Sequence, residues 1–399
     1  MKRLISIFSL FTLFLVGCSS PTETEEVQVE LPIKFTTELI TDGLEYPWQM
    51  SFAGNRIFVT EIKGTVRIIE NGELQSEPWF DLSSYMQDQG LRFPGDSEER
   101  RSGLQGIAVD PDFENNGYVY IGFAYHSDDH SYDLNRLIRL KENPETKRGE
   151  FDTILMDDVP GFDLHQAAQI KFGPGGKLYW SVGDRFEESS AQDLEDLSGK
   201  ILRLNSDGTI PEDNPFPNSY VYSYGHRNPQ GFAWQAGTGV MLATEHGPSS
   251  SQGCCHDEIN RIEAGKNYGW PEIRGDESAP SMETPIIHSG HPEDGESELD
   301  YTWAPSGATF VNQGPWGGTF LFAGLRSKTL WQLTFDENAV DELIPLITNK
   351  THDYHRVRSV EQAPDGYIYM ITSNKDRTYD PGLGRDDYLV KLNVFYEEE

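Results

Sequence analysis

Polar residues of the kinds that bind ions and move protons are concentrated between positions 224 and 271. This stretch contains the segments Tyr-Gly-His-Arg-Asn-Pro-Gln-Gly, Glu-His-Gly-Pro, Cys-Cys-His-Asp-Glu-Ile-Asn and Asn-Tyr-Gly-Trp-Pro. Glycine, proline and asparagine set the geometry of loops, and charged side chains stand between them. Polar loops on a rigid scaffold are the usual form of a binding or catalytic site, so the stretch predicts one.

A second candidate lies earlier in the chain, where His165 precedes one apolar strand and Asp184 follows it. A hairpin at 173–176 would return the two side chains to the same end of the sheet. There the carboxylate would orient and charge-stabilise the imidazole, as a general base requires. From the residues alone, a structural polar contact is the alternative interpretation.

The elements that carry these loops form a repeat of strand pairs. The first strands are predicted at 56–61, 118–123, 177–182, 240–245, 319–324 and 367–372, and their partners at 65–69, 136–140, 200–204, 258–262, 329–333 and 387–392. Six pairs spaced about 62 residues apart predict an all-β fold, a six-bladed β-propeller with long inter-strand loops. Segment 35–39 is expected to add a strand to the last blade, and a two-sheet sandwich would not explain the recurrence.

The first residues are typical of an export signal. A basic start and an apolar run lead to Leu-Val-Gly-Cys at 15–18, which resembles the lipobox of bacterial lipoproteins. We therefore expect a lipoprotein signal peptide at 1–17, lipidation of Cys18, a disordered tether at 18–32 and the propeller at 33–396. The protein would then be anchored by lipid to a bacterial membrane and face the periplasm or cell surface. An ordinary secretory signal is the alternative.

The net charge of the chain limits the kinds of partner that it can bind. A formal net charge of −33 argues against nucleic acid and against anionic lipid surfaces. Contact with a membrane is accordingly expected through the lipid anchor only.

Ten segments in order resemble a known family. They lie at 106–113, 165–172, 183–184, 199–204, 224–231, 245–248, 257–260, 267–271, 304–307 and 356–360. Together they resemble the soluble quinoprotein glucose/sorbosone dehydrogenases, also called aldose sugar dehydrogenases. The resemblance implies pyrroloquinoline quinone (PQQ) and calcium as cofactors and oxidation of the C1 hydroxyl of aldoses to lactones. It also implies a downstream electron acceptor, a quinone or a cytochrome.

The resemblance assigns a role to each matching residue. His165 is similar to the base that takes the proton from the anomeric hydroxyl while hydride passes to the quinone, and Asp184 to its carboxylate partner. Arg227 is similar to the arginine beside the quinone C5 oxygen, an oxyanion-type role. Asn228, Arg326, Arg356 and Arg358 are implied to bind PQQ, and the carbonyls of Gly247 and Pro248 to bind the catalytic calcium. Glu258 and Tyr268 match part of a second, structural calcium site.

The chain also departs from the family. Arg101 and Ser102 precede Gly-Leu-Gln-Gly where many members have Gln or Glu before Gly-Leu-Leu-Gly, a polar insert occupies 85–101, and His246 replaces a frequent glutamine. An insertion at 249–256 contains Cys254 and Cys255. In an oxidising compartment these neighbours predict a vicinal disulfide. It would cover PQQ, as such a ring does in the methanol dehydrogenases, or staple the loop; two free thiols are the remaining interpretation.

Three other functions are compatible with parts of this pattern. His226, His246 and His256 suggest zinc, but they lack the tight spacing of zinc ligands. A metal-dependent lactone hydrolase on a six-bladed propeller would hold its metal by side-chain carboxylates and would not need an arginine set. The last alternative is a non-catalytic extracellular binding propeller.

Overall fold

The fold is a six-bladed β-propeller, which confirms the predicted architecture. The computed structural model describes residues 32–94, 102–162, 164–166, 169–249, 253–293, 296–336, 339–376 and 385–397. The predicted signal peptide, Cys18 and nearly all of the predicted tether lie outside these residues. Within them, no helix has the length and apolar character needed to cross a membrane.

Each blade is an antiparallel sheet, and blades 1 to 3 come from the first part of the chain. Blade 1 contains β2 (Pro47–Ala53), β3 (Arg56–Glu61), β4 (Thr65–Glu70), β5 (Glu73–Leu74) and β6 (Phe80–Asp81). Blade 2 contains β7 (Leu104–Val109), β8 (Tyr118–Tyr125), β9 (Leu134–Glu142) and β10 (Gly149–Pro160). Blade 3 contains β11 (Ile170–Phe172), β12 (Leu178–Val182), β13 (Lys200–Leu204) and β14 (Val221–Tyr224).

The remaining blades follow in order, and the last one also takes the first strand of the chain. Blade 4 contains β15 (Pro229–Trp234), β16 (Met241–Glu245), β17 (Glu258–Ile262) and β18 (Ile287–His288). Blade 5 contains β19 (Pro305–Phe310), β20 (Phe320–Gly324), β21 (Thr329–Asp336) and β22 (Ala339–Ile347). Blade 6 contains β23 (Val357–Gln362), β24 (Ile368–Thr372), β25 (Asp387–Tyr396) and β1 (Ile33–Leu44).

The two ends of the chain close the ring. β1 pairs antiparallel with β25 from Ile33 opposite Tyr396 to Leu44 opposite Asp387. The predicted strand at 35–39 is therefore confirmed as part of the last blade. Because one blade combines strands from both ends of the sequence, the ring cannot open without breaking this sheet.

Four of the predicted first strands begin one residue too early. They start at Leu178, Met241, Phe320 and Ile368. In each case the carbonyl of the preceding residue accepts the hydrogen bond that closes the turn before the strand, as in Gly173 N–H to Lys177 O at 2.9 Å. Apolar pattern alone does not separate a turn-closing residue from the first residue of the strand.

The innermost strands surround the axis of the ring. The first strands of the six blades are β2, β7, β11, β15, β19 and β23. Around the axis, β7, β2, β23, β19 and β15 pack against one another in that order, and β11 packs against β7. Gly231 and Gly307 allow this approach, because a Cβ on Gly231 would overlap the backbone of Ser306 and one on Gly307 the side chain of Ser359. Side chains that begin these strands thus meet at one end of the axis.

The helices of the described residues are short. Helix α1 spans Leu82–Asp88, with Asp81 accepting from Ser83 N–H at its start, and α2 spans Phe113–Asn116. Tyr85 and Met86 on α1 are buried in the core between blades 1 and 2. The first residues of the predicted polar insert at 85–101 therefore belong to the core, whereas 95–101 lie outside the described residues.

Asp387 stabilises the ring closure, and its loss should destabilise the fold. Its buried carboxylate accepts backbone N–H bonds from Tyr46 (2.8 Å), Lys375 (3.2 Å) and Asn374. Asp387→Ala removes these three hydrogen bonds, and each lost bond costs about 1 kcal/mol or more. We expect a fall of about 3 kcal/mol in the free energy of unfolding, measured by urea denaturation.

The neighbouring Asp386 provides the control for this prediction. It is exposed, and its nearest cationic contact is Lys375 at 3.7 Å. Asp386→Ala should change stability by less than about 0.5 kcal/mol. Equal effects of the two substitutions would contradict the role given to Asp387.

Candidate active site

A cavity of about 330 Å³ opens at the end of the axis where the innermost strands begin. Trp48, Gln105, Gln230 and Arg358 line it, and each is the second residue of an innermost strand. Loops of the other blades complete the wall. The volume lies in the range of small-molecule sites, about 300 to 1,000 Å³.

His165 and Asp184 meet in this cavity. The hairpin between β11 and β12 forms as the sequence predicted, and His165 Nδ1 donates to Asp184 Oδ1 at 2.7 Å. Asp184 is 1% exposed and also accepts from Phe186 N–H (3.0 Å) and Trp270 Nε1–H (2.8 Å). These three donors fix the carboxylate, which in turn fixes the tautomer and direction of the imidazole.

The surroundings of His165 favour its neutral form. Burial lowers its pKa, the bond to Asp184 acts in the opposite direction, and the charge of Arg227 lowers the pKa further. With Nδ1–H donating to Asp184, the imidazole Nε2 carries the lone pair. This is the state in which a histidine accepts a proton.

Aromatic rings lie beside the imidazole. The Phe186 ring stacks on His165 with the ring centroids 3.9 Å apart, and Phe162 lies 5.7 Å from Phe186. Both phenylalanines are more than 40% exposed. Exposed apolar surface next to a polar cavity is typical of a ligand-binding rim.

Arg227 lies between the His165–Asp184 pair and the loop of blade 4. Its N–H donates to Glu245, its carbonyl accepts from Asp184 N–H at 2.8 Å, and its guanidinium donates to His246 O at 3.3 Å. Asn228 lines the same wall and its Oδ1 accepts from Gln230 at 3.0 Å. Burial lowers the pKa of Arg227, so this cation is held at an energetic cost that a bound anion would offset.

The structure brings the other three predicted arginines to the wall of the same cavity. Arg326, Arg356 and Arg358 all line the cavity. Arg356 pairs with Asp376 at 3.1 Å, whereas Arg358 donates to Gln230 Oε1 at 2.8 Å and lies 3.2 Å from the centre of the Trp48 ring. Burial and the charge of Arg356 lower the pKa of Arg358 to about 9. The cavity is thus cationic within a strongly acidic protein.

Gly247 and Pro248 also line the cavity. Among the described residues, no donor hydrogen-bonds to either carbonyl oxygen. Gly247 N–H donates to Asp257 Oδ1 at 3.0 Å, and Asp257 Oδ2 accepts from Trp303 N–H and Ala304 N–H. Asp257 therefore joins the loops of blades 4 and 5 beneath the two carbonyls.

Glu258 and Tyr268 lie outside the cavity wall. Glu258 Oε1 accepts from Gly275 N–H at 2.8 Å, and burial together with Glu245 raises its pKa to about 8. Tyr268 stacks on His226 and donates to Arg261 O. In the part of the chain that the structure describes, no three His, Cys, Asp or Glu side chains form a metal-binding group. The second calcium site stays a prediction.

Cys254 and Cys255 are joined by a disulfide, and Cys254 lines the cavity. Cys255 is 1% exposed, with its Sγ 3.7 Å from Glu298 O. Two of the histidines considered for zinc have protein partners: His226 contacts Ser223 and Glu245, and His256 stacks near His288 and His291.

Sequence reasoning assigned no role to four aromatic or polar residues of the site: Trp48, Phe186, Gln230 and Trp270. The first and third share a signal, since each is the second residue of an innermost strand. Phe186 and Trp270 contact the His165–Asp184 pair through chain folding. Trp270 belongs to the segment at 267–271, but no local pattern assigns it to Asp184, and no local pattern indicates Phe186.

Comparison with known proteins identifies the family. The sequence profile described as "Glucose / Sorbosone dehydrogenase" matches residues 44–379, which is most of the chain. The chain belongs to the glucose/sorbosone dehydrogenase family. This confirms the resemblance drawn from the sequence and makes the protein an oxidoreductase.

Members of the glucose/sorbosone dehydrogenase family resemble the chain over most of its length. It is 27% identical to the aldose sugar dehydrogenase YliI of Escherichia coli, covering 86% of this chain and 91% of that protein. It is 32% identical to quinoprotein glucose dehydrogenase B of Acinetobacter calcoaceticus over 60% and 53% of the two chains. The PQQ-bound aldose sugar dehydrogenase of Streptomyces coelicolor matches with a TM-score of 0.74 and 29% identity, covering 92% of this chain and all of that one.

Proposed function

We propose that the protein oxidises the C1 hydroxyl of an aldose to the lactone, with PQQ and Ca²⁺ in the axial cavity. The observation that carries this proposal is the combination in one cavity of the His165–Asp184 pair with four arginines. Family membership and the PQQ-bound relative support it. Bound PQQ would supply the acceptor for the hydride that leaves C1.

The cationic wall fits PQQ, which carries three carboxylates. Arg358 is fully buried, and among the described residues no carboxylate lies within ion-pair distance of it. A buried cation of this kind is stabilised by an anionic ligand with fork-like hydrogen bonding. Arg326 and Arg356 would bind further carboxylate oxygens of the same ligand.

The carbonyls of Gly247 and Pro248 fit a calcium ion. Calcium takes oxygen ligands, and these two oxygens accept no hydrogen bond from the described residues. The ion would act there as a Lewis acid on the bound quinone.

The chain itself performs the proton step. His165 Nε2 takes the proton of the C1 hydroxyl as the C–H electron pair leaves C1 as hydride, so that C1 and its oxygen become a carbonyl. Asp184 holds the imidazolium that forms, and Phe186 shields one face of the ring from water. Arg227 would stabilise negative charge that develops next to the base, because its guanidinium is buried and fixed.

Export and anchoring belong to the same proposal. Lipidation at Cys18 would tether the enzyme to a bacterial membrane, facing the periplasm or cell surface. The two electrons taken from the sugar would then leave to a membrane quinone or a cytochrome. Labelling of the exported protein with radioactive palmitate, and its loss in Cys18→Ser, would test the anchor.

Reconstitution tests the function directly. Protein purified without cofactor should reduce an electron-accepting dye only when PQQ, Ca²⁺ and an aldose are all present. Omission of PQQ or chelation of calcium should abolish the activity. Lactone hydrolysis with metal alone would instead indicate a hydrolase, and silence in both assays, with sugar binding retained, would indicate a binding propeller.

A further inference from the structure

The disulfide between Cys254 and Cys255 has no part in the proton step or the arginine wall. Cys254 nevertheless faces the same cavity, and Cys255 is buried against Glu298. A buried cystine in the wall of a binding site restricts the backbone beside it, and therefore also the neighbouring residues that would contact a ligand.

The cystine segment, residues 254–257, packs directly on the loop that carries the carbonyls of Gly247 and Pro248. A Cβ on Gly247 would overlap the carbonyl oxygens of Cys255 and His256, so the two backbones are in contact there. One residue further, Asp257 Oδ1 accepts from Gly247 N–H at 3.0 Å. The position of Gly247 therefore depends on residues 255–257.

On its other side the segment is attached to blade 4. His256 N–H donates to Gly290 O at 2.8 Å, and Asp257 N–H donates to Ser289 Oγ at 3.0 Å. Ser289 N–H returns a bond to Asp257 O at 2.8 Å. The cystine segment thus lies between the loop of Gly247 and Pro248 and the residues Ser289 and Gly290 that follow β18. Backbone motion of the segment would therefore displace Gly247 and Pro248.

A bond between neighbouring cysteines closes an eight-membered ring. It removes the side-chain rotations of both residues and restricts the backbone between them, whereas two thiols would keep these freedoms. The ring therefore restricts the conformation of residues 254 and 255, and Cys255 is in backbone contact with Gly247.

We propose that the Cys254–Cys255 cystine braces the carbonyl wall of the cavity and thereby slows release of the bound calcium and PQQ. The inference rests on the proposed function, because it takes the two carbonyls as calcium ligands. The cystine is a positioning element and does not touch the reacting atoms.

The test measures ligand release and uses no turnover. In a Cys18→Ser background, Cys254 and Cys255 are the only cysteines. Protein loaded with PQQ and Ca²⁺ is mixed with excess chelator, and PQQ release is followed by absorbance. Cys254→Ser/Cys255→Ser should release PQQ about tenfold faster than the parent, with the protein still folded by circular dichroism.

Chemical reduction of the cystine in the parent protein tests the same proposal if the double variant does not fold. A phosphine donates two electrons to the native cystine, two protons from water complete the two thiols, and the phosphine becomes its oxide. Treated parent protein should also release PQQ about tenfold faster, and the double variant should not respond to the phosphine.

The outcomes separate the two proposals. Release from the variant and from the reduced parent within twofold of the untreated parent would overturn the brace while leaving the proposed function intact. Two titratable thiols in the untreated parent would also overturn it. Failure of the untreated parent to bind PQQ at all would overturn both proposals.

Discussion

His165→Ala should lower kcat for aldose oxidation by about 10³-fold, within the range of 10² to 10⁴ that a positioned general base contributes. The imidazole, held by Asp184 and kept neutral by burial, is the group that we propose takes the hydroxyl proton. Without it, the proton must leave to water in a partly closed cavity. Steady-state dye reduction with saturating PQQ and Ca²⁺ measures the loss.

Binding of the cofactor provides the control for this variant. Within the described part of the chain, no hydrogen bond joins the His165 side chain to any of the four arginines that line the cavity. The affinity for PQQ should therefore change less than about threefold. Asp184→Asn should keep the shape of the pair while losing the charge that stabilises the imidazolium, and should cost about 10²-fold. A rate for His165→Ala within tenfold of the parent would contradict the assignment of the base.

The His165–Asp184 pair also predicts how the rate depends on pH. Because burial lowers the pKa of His165, the rate should rise with pH through an apparent pKa below the ordinary value of about 6.5. Asp184 raises that pKa, so in Asp184→Asn the acid limb of the profile should move to lower pH. Movement to higher pH would indicate that a different group titrates.

The strand repeat was predictable because its signals are local. Apolar strands bounded by turn residues, such as Pro-Gly-Gly at 174–176 and Pro-Asp-Gly at 364–366, identify the blades. Only the turn-closing residues such as Lys177 were assigned wrongly to strands. His165 and Asp184 were also within reach, since a single hairpin of blade 3 brings them together.

Contacts between distant parts of the chain were beyond the same reasoning. Trp270 donates to Asp184 across 86 residues, and Arg358 to Gln230 across 128. Asp257 directly precedes the predicted strand at 258–262, and nothing in the sequence indicates that its carboxylate joins Gly247 to the loop of blade 5. Such bonds depend on how blades are placed around the ring, which strand periodicity does not specify.

Acidic residues at or near strand ends make hydrogen bonds that strand periodicity does not specify. Glu61 ends β3 and accepts from Glu45 N–H at 2.6 Å, and Glu245 ends β16 and accepts from Arg227 N–H. Asp184 lies two residues after the end of β12 and accepts instead from Phe186 N–H in its own loop. Blades 1 and 4 thus place a carboxylate at equivalent positions, whereas the blade 3 carboxylate lies further along the chain and holds the imidazole of His165.

Arg358→Met should affect ligand binding and stability in opposite directions. Loss of a charge-assisted contact to a PQQ carboxylate, worth about 1.5–3 kcal/mol, should weaken PQQ binding roughly 10- to 100-fold. The unloaded protein should become more stable by about 1 kcal/mol, because a buried cation whose pKa is lowered by burial and by Arg356 is replaced by an apolar side chain. Methionine keeps an apolar contact with Trp48.

Fluorescence titration of unloaded protein with PQQ and urea unfolding without PQQ measure the two effects separately. Arg261→Met is the matched control, since that arginine is exposed and its nearest acidic contact, Glu263, lies at 3.8 Å. It should leave both quantities unchanged. Unaltered PQQ affinity in Arg358→Met would remove Arg358 from the binding site. A loss of stability would instead show that its contacts with Trp48 and Gln230 hold the fold, because a cation kept for an anionic ligand destabilises the empty cavity and a structural one does not.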